Sequence, residues 1–241
     1  MSEFAVTIEN LTKKFGSFTA VDNISFTVNK GEIFGFLGAN GAGKSTTIRM
    51  LCGILKPTSG RGIVGGVDIS KTPEKVKPFI GYMSQKFSLY DDLTIEENLN
   101  FFAGIYGVKN RSQAVNKAIK SAGLEGKEKK MTGSLPVGWK QQLSLASAVM
   151  HKPEILFLDE PTSGVDPISR RKFWETIRAK SDEGTTVFVT THYMMEAEYC
   201  DRLSIMRAGK VIALGSPGEL KQKNKKESLE DVFISLVQEE E

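Results

Sequence analysis

Histidine and cysteine are scarce in the 241-residue chain: His151 and His192, Cys52 and Cys200. Two histidines exclude a histidine-rich metal site. The cysteines lie far apart and outside any Cys-x-x-Cys pair, which points to reduced, structural thiols in a cytosolic protein. No stretch approaches the ~18–20 apolar residues that span a bilayer, and the segment Met1–Phe4 has no signal-peptide pattern. The chain is therefore expected neither to cross a membrane nor to leave the cytoplasm unaided; any membrane role has to come through a partner. Charge of one sign is also lacking, with 32 Lys+Arg against 29 Asp+Glu and a net charge of +3, so no nucleic-acid partner is expected. What remains is an ordinary globular composition, 40% hydrophobic and 25% charged, long enough for one sizeable core and an attached subdomain.

The first sixty residues read as strands and turns, with apolar–polar alternation over Phe4–Glu9 and Ile24–Val28 predicting half-buried antiparallel strands. Glu32–Leu37 is a nearly continuous apolar run, followed by a glycine-rich loop and a helical pattern over Ser45–Leu55. That succession starts a parallel α/β unit. Short strands with glycine turns return over Gly60–Ile69, and the character turns helical from about Lys86 to Gly133. Thr94-Ile95-Glu96-Glu97 has the capping-box pattern; Ile95, Leu99, Phe102 and Tyr106 follow at helical spacing, and a second helix is predicted over Ser112–Ala122. Ile155–Leu158 and Thr186–Thr190 read as buried parallel strands around a crossover helix at Ile168–Lys180. Leu203–Met206 and Val211–Leu214 read as a final strand pair. A lysine-rich tail from Lys221 leads into an amphipathic helix over Ser228–Val237 and an acidic end. No internal repeat is present.

Gly38-Ala39-Asn40-Gly41-Ala42-Gly43-Lys44-Ser45-Thr46 matches G-x-x-x-x-G-K-[ST] between a buried strand and a helix. Glycines let the backbone wrap phosphates, and successive N–H groups with the helix N-terminus supply partial positive charge. Lys44 would reach β- and γ-phosphates, and the Ser45 hydroxyl would ligate Mg²⁺. Downstream, Ile155–Leu158 ends in Asp159 and Glu160, at the ligand edge of an open α/β sheet. Asp159 would hold Mg²⁺, through water, and Glu160 would polarise the water attacking the γ-phosphate.

With these motifs in this order, the chain resembles an ATP-binding-cassette (ABC) ATPase over essentially its whole length. The resemblance implies a doubly wound α/β core carrying an antiparallel β subdomain and an inserted helical subdomain. It implies Mg-ATP as substrate, a second cassette packed head to tail, and a transmembrane permease as partner at the cytoplasmic side of the membrane. Gln85, after Tyr82-Met83-Ser84, resembles the Q-loop glutamine that touches Mg²⁺ and the attacking water. Ser163-Gly164-Val165-Asp166 resembles the D-loop that crosses to the second subunit, and His192, after Thr190-Thr191, the switch histidine at the γ-phosphate. Phe15 is similar in position to the aromatic that stacks on adenine, with a core phenylalanine as the alternative. His151 has no role in this pattern.

The family's signature reads Leu-Ser-Gly-Gly-Gln, and here Leu135-Pro136-Val137-Gly138-Trp139 stands in its place, followed by Lys140-Gln141-Gln142-Leu143. Pro136 removes the serine hydroxyl expected on the partner's γ-phosphate, and Val137 adds bulk where glycine permits approach; Gly138 and the helix behind it remain. Leu-Pro-x-Gly-Trp and the terminal Ser228-Leu229-Glu230-Asp231-Val232-Phe233 resemble export-type cassettes. Phe87–Leu93 is where a permease helix would dock, unless those residues are core. The resulting division is an ATPase domain over 1–220, its helical subdomain at about 86–140, and a tail over 221–241. One half of a longer two-cassette polypeptide stays open.

Overall fold

The computed structural model describes residues 3–85 and 88–238. The first two strands are longer than the apolar alternation indicates: β1 (Phe4–Phe15) and β2 (Phe18–Asn29) form a hairpin over their full lengths. Alternation breaks at Asn10 and Asn23, both with φ 51, where register shifts take up extra residues. Asparagine tolerates the left-handed region, so a bulge there preserves the pairing while scrambling the pattern. β3 (Ile33–Leu37) follows, and α1 (Lys44–Leu51) ends earlier than residue 55 because Gly53, at φ 68, turns the chain out of the helix. β4 (Ser59–Val64) and β5 (Val67–Asp68) complete an antiparallel sheet of order β2-β1-β4-β5.

β6 (Ile80–Met83) begins the return to the second sheet. The helical region then comprises α2 (Ile95–Ile105), α3 (Arg111–Ser121) and the first half of α4 (Val137–Val149). The capping box is formed: the Glu97 N–H donates to the Thr94 hydroxyl at 3.3 Å, and the Thr94 N–H to the Glu97 carboxylate at 2.8 Å. Leu99, Val115, Ile119, Leu135 and Leu143 form this region's own core. The C-terminal half of α4 keeps Ala146 in it but turns Leu145 and Ala148 onto Leu156, Phe173 and Ile177 of the main body. One helix thus belongs to both units.

β7 (Ile155–Asp159), α5 (Pro167–Asp182), β8 (Thr186–Thr191), the short α6 (Met194–Ala197), β9 (Arg202–Arg207) and β10 (Lys210–Gly215) complete a second sheet of order β10-β9-β3-β8-β7-β6. Its strands are parallel except for β10, which pairs antiparallel with β9. The two sheets meet through phenylalanines. Phe26 of β2 stacks on Phe34 at 5.2 Å, and Phe188 lies 5.4–5.5 Å from Phe34, Phe36 and Phe157. Cys52 and Cys200 are free and buried, and burial pushes both thiols up, away from reactivity.

The expected division at 220 falls within a helix. α7 (Pro217–Asn224) spans that point, and α8 (Leu229–Gln238) follows it. Leu220, Leu229 and Val232 are core, packed on Leu37, Leu203 and Ile205, and Arg207 donates to the Val237 carbonyl. The start of α7 was written in Ser216-Pro217-Gly218-Glu219, a capping box the lysines downstream obscured. Among the described residues, no helix is long and apolar enough to cross a membrane.

Because Phe188 is fully buried between the sheets, Phe188→Ala should cost about 3–5 kcal/mol, the scale for a large aromatic lost from a close-packed core. Urea unfolding would measure it as a lower midpoint at unchanged slope.

Candidate nucleotide site

The parallel register brings the motifs together. Leu37 pairs with Thr191, Asp159 with Thr190 and Met83 with Leu158, so the loops that follow β3, β6, β7 and β8 emerge at one edge. The glycine-rich loop closes round its own lysine: Lys44 Nζ donates to the carbonyls of Gly38 at 2.7 Å and Ala39 at 3.0 Å. Gly43 has φ 107, and a Cβ there would lie 2.4 Å from the Ala20 carbonyl oxygen, so no other residue fits. Gly43 precedes α1 without any side-chain cap, leaving first-turn N–H groups for an anion.

Asp159 is fully buried. Its Oδ1 accepts from the hydroxyls of Ser45 at 2.9 Å and Thr190 at 2.8 Å, while Oδ2 is buried with no partner. Burial pushes this carboxyl above its ordinary value, and the Thr190 and Ser45 hydrogen bonds oppose that only in part. Glu160 has φ 49, a conformation costing a non-glycine residue roughly 1–2 kcal/mol. Its N–H donates to the Thr190 hydroxyl at 2.9 Å. Oε1 lies 3.2 Å from Lys44 Nζ, and Oε2 accepts from the Gln85 amide at 3.1 Å. His192 Nδ1 stands 3.2 Å from the same Oε2 without the alignment of a hydrogen bond. Lys44, Gln85 and His192 thus surround the Glu160 carboxylate, and Asp159 joins them through the shared Thr190 hydroxyl.

Beside them opens a cleft of ≈ 360 Å³ whose lining includes Phe15, Phe18, Asn40, Gly41, Thr46 and Gln85. Phe15 is 50% exposed, with the Lys13 ammonium 5.0 Å from its ring centre; the core alternative for it is overturned. Phe18 pairs with Phe15 across the hairpin and is 63% exposed. It was not singled out in the sequence, although its place across the Gly16-Ser17 turn was the available signal. Thr190 was missed as well, and only its position before Thr191-His192 hinted at it. A larger cleft of ≈ 1220 Å³ lies at the opposite sheet edge, where Ile155 and Thr186 begin β7 and β8, and includes none of the phosphate-loop residues.

The loop Ser163–Asp166 leads into α5, and Asp166 caps that helix by accepting from the N–H groups of Ile168 and Ser169 at 3.0 Å each. Val165 is buried and Gly164 has φ 72. None of Leu135–Trp139 lines the cleft at the phosphate loop. Leu135 is core, Pro136 occupies the N-cap of α4, and Val137 is 41% exposed. Gly138 is buried within this chain, since a Cβ on it would sit 2.9 Å from the Ser169 side chain. Its glycine is therefore required by α4–α5 packing, a reason the sequence reading did not include. Trp139 is half-buried against the helical core beneath the Lys127 ammonium, 4.9 Å away. His151 stacks on Tyr106 at 4.0 Å, with Nε2 2.9 Å from the Ile80 carbonyl oxygen, and burial pushes it below the usual histidine range. Its place is structural, joining α2 to β6.

A strand, a glycine loop and a helix whose lysine meets a carboxylate at the end of a parallel strand two places along the sheet define a phosphate-loop nucleotide-binding protein. The family model described as "ABC transporter" matches residues 21–163, and one described as "AAA domain, putative AbiEii toxin, Type IV TA system" matches 140–194. The chain belongs to the ABC transporter family. It is 49% identical over 242 residues to the probable multidrug ABC transporter ATP-binding protein YbhF of Escherichia coli (strain K12), covering 98% of this chain and 42% of that protein. The chain thus spans less than half the length of that relative. It is also 42% identical over 215 residues to the linearmycin resistance ATP-binding protein LnrL of Bacillus subtilis (strain 168), covering 88% of this chain and 69% of that one. Among solved structures it resembles an ATP-binding subunit of an ABC transporter (TM-score 0.87, 26% identity, 97% of this chain and 99% of that). It also resembles a dimeric ATP-binding cassette in a post-hydrolysis state with ADP and Pi (TM-score 0.81, 25% identity, 88% and 98%).

Asp159 takes up its proton more readily in the folded chain than in the unfolded one. Folded stability therefore falls as pH rises from the ordinary value of 3.8 through the raised folded value, and the penalty is complete above it. Without nucleotide or Mg²⁺, Asp159→Asn should melt higher than wild type at pH 7. Calorimetry across pH should show the two converging as pH falls towards 3.8.

Proposed function

We propose that this chain binds Mg-ATP at Gly38–Thr46 and hydrolyses it as the motor subunit of an export-type transporter, acting on a separate permease at the cytoplasmic side of the membrane. The convergence of Lys44, Gln85, Asp159, Glu160 and His192 at the phosphate loop carries this reading. We assign residues 3–238 to one ATPase domain in which α2, α3 and the first half of α4 form the helical subdomain. The C-terminal helices α7 and α8 are part of that domain.

Lys44 holds Glu160 until phosphate arrives. A γ-phosphate beside the loop competes for the ammonium, and Glu160 is freed to take a proton from the attacking water. Gln85, already on Oε2, keeps the carboxylate aimed, and His192 faces the γ-phosphate across it. Ser45 Oγ, the unpartnered Asp159 Oδ2 and the Gln85 amide oxygen would hold Mg²⁺, as an all-oxygen donor set suits that ion, and it would supply neutralisation of phosphate charge. Phe15, with Phe18, offers the face on which a base stacks.

The second ATP-binding surface is the start of α4, presented to another cassette together with the Ser163–Asp166 loop. That cassette is a second copy or the other half of a longer chain; the length of YbhF relative to this chain suits the latter. For the permease, Tyr90 and Phe101 form an exposed edge-to-face pair at 4.9 Å. Leu89 is buried in the helical core, Leu93 is half-buried, and Phe87 lies outside the described residues. We therefore place docking on Tyr90 and Phe101. Export as the direction rests on Leu135–Trp139, on α8 and on the relatives' names, which specify multidrug transport and linearmycin resistance.

Glu160→Gln should slow ATP hydrolysis by roughly 10² or more, the scale of a lost general base. ATP affinity should hold or rise, because Lys44 no longer has a carboxylate to leave, and calorimetry with steady-state kinetics separates the two. Unchanged turnover would remove Glu160 from the chemistry. In that same background, Pro136→Ser with Val137→Gly should tighten the ATP-bound dimer by about 1.5–3 kcal/mol, the worth of a hydrogen bond to a charged group. Light scattering against protein concentration reads this, and weaker dimerisation would mean the variant signature makes phosphate contacts of its own.

A further inference from the structure

Behind the cleft, α6 places Glu196 with its side chain 1% exposed. Oε1 accepts from the Thr162 hydroxyl at 2.5 Å and lies 3.3 Å from Arg170 Nε, while Oε2 accepts from the Thr191 hydroxyl at 2.7 Å. The two threonines flank the catalytic positions, and Arg170 comes from α5. Thr162 stands two residues after Glu160, and Thr191 immediately precedes His192. Arg170 also donates to the Val165 carbonyl at 3.3 Å and places its guanidinium 4.6 Å from the centre of the Tyr193 ring. That ring lies 4.1 Å from the His192 ring.

An ionised carboxylate only accepts, so both threonine hydroxyls must point their single protons at Glu196. Thr191 Oγ1 is thereby left with lone pairs outward, and it accepts the Tyr193 N–H at 3.0 Å. The carboxylate fixes the hydroxyl, the hydroxyl fixes the backbone after His192, and Arg170 presses Tyr193 from the other side. We propose that Glu196, held by Arg170, is a positioning residue that sets His192 against Glu160 and ties it to the Val165 turn facing the second cassette. This rests on His192 contacting the γ-phosphate. A glutamine at 196 keeps the size but brings a donor, which has to turn one threonine hydroxyl around and weaken the hold on Arg170.

The test is ATP hydrolysis by the whole chain as wild type, His192→Ala, Glu196→Gln, the double variant and Arg170→Met. Glu196→Gln should lower kcat about 10- to 100-fold, the scale for a catalytic group displaced by an ångström, with KM for ATP unchanged. In the His192→Ala background the same substitution should change kcat no further, because two residues acting as one unit are not additive. Arg170→Met, at a side chain 28% exposed, should lower kcat in the same way and carries the test should Glu196→Gln fail to fold. Equal fold-losses in both backgrounds, or an unchanged kcat, would overturn the inference while leaving the ATPase reading intact. His192→Ala at full rate would overturn the inference alone, and wild-type protein without ATP turnover would overturn both.

Discussion

Lys44 and Glu160 sit 3.2 Å apart with side chains 3% and 5% exposed. Neither charge is tolerable there alone; removing one partner from such a pair costs about 3–5 kcal/mol because the other remains buried and unpaired. The phosphate loop curls so that its first carbonyls finish the solvation of the ammonium. Gln85, from a loop 75 residues before Glu160 in the chain, completes the carboxylate. The site is thus held together without ligand by the pair Lys44–Glu160. In the mechanism we propose, nucleotide affinity and the release of the base are two readings of one exchange, in which phosphate replaces carboxylate beside Lys44.

That exchange is confined to one sheet edge because five parallel strands hold their ends in register, with the phenylalanines around Phe188 keeping the antiparallel sheet against one face. α4 carries the arrangement outward. Its first turn packs on the first turn of α5 through Gly138 and Ser169, and its second half is core. The Leu135–Trp139 segment is thereby packed beside the cap residue Asp166, whose loop runs back to Glu160.

The phosphate loop, the strand into Asp159-Glu160 and the switch position were legible because each is a local pattern: glycines at fixed spacing, an apolar run, a polar residue just past a strand. The two-sheet architecture with helical insert was legible for the same reason. What lay hidden depends on partners distant in sequence. Gly138 is small because of Ser169, Thr190 matters because Asp159 and Glu160 both use its hydroxyl, and Glu196 is buried because two threonines and Arg170 close on it. Asn10 and Asn23 hid half of the first hairpin by interrupting alternation where the backbone bulges. Lysines masked α7, whose buried side is little more than Leu220.

The left-handed backbone of Glu160, at φ 49, sorts replacements by shape before charge is considered. Asparagine and glycine enter that conformation readily, and a β-branched side chain is the worst fit. Position 160 therefore has its own ranking of tolerated residues, in which a chemically inert substitute can leave the loop more relaxed than the native one. The relief of that backbone, about 1–2 kcal/mol, is smaller than the about 3–5 kcal/mol lost when Lys44 is left buried without its partner. Charge pairing with Lys44 therefore outweighs backbone comfort, and a selection for stability alone would still keep a carboxylate at 160.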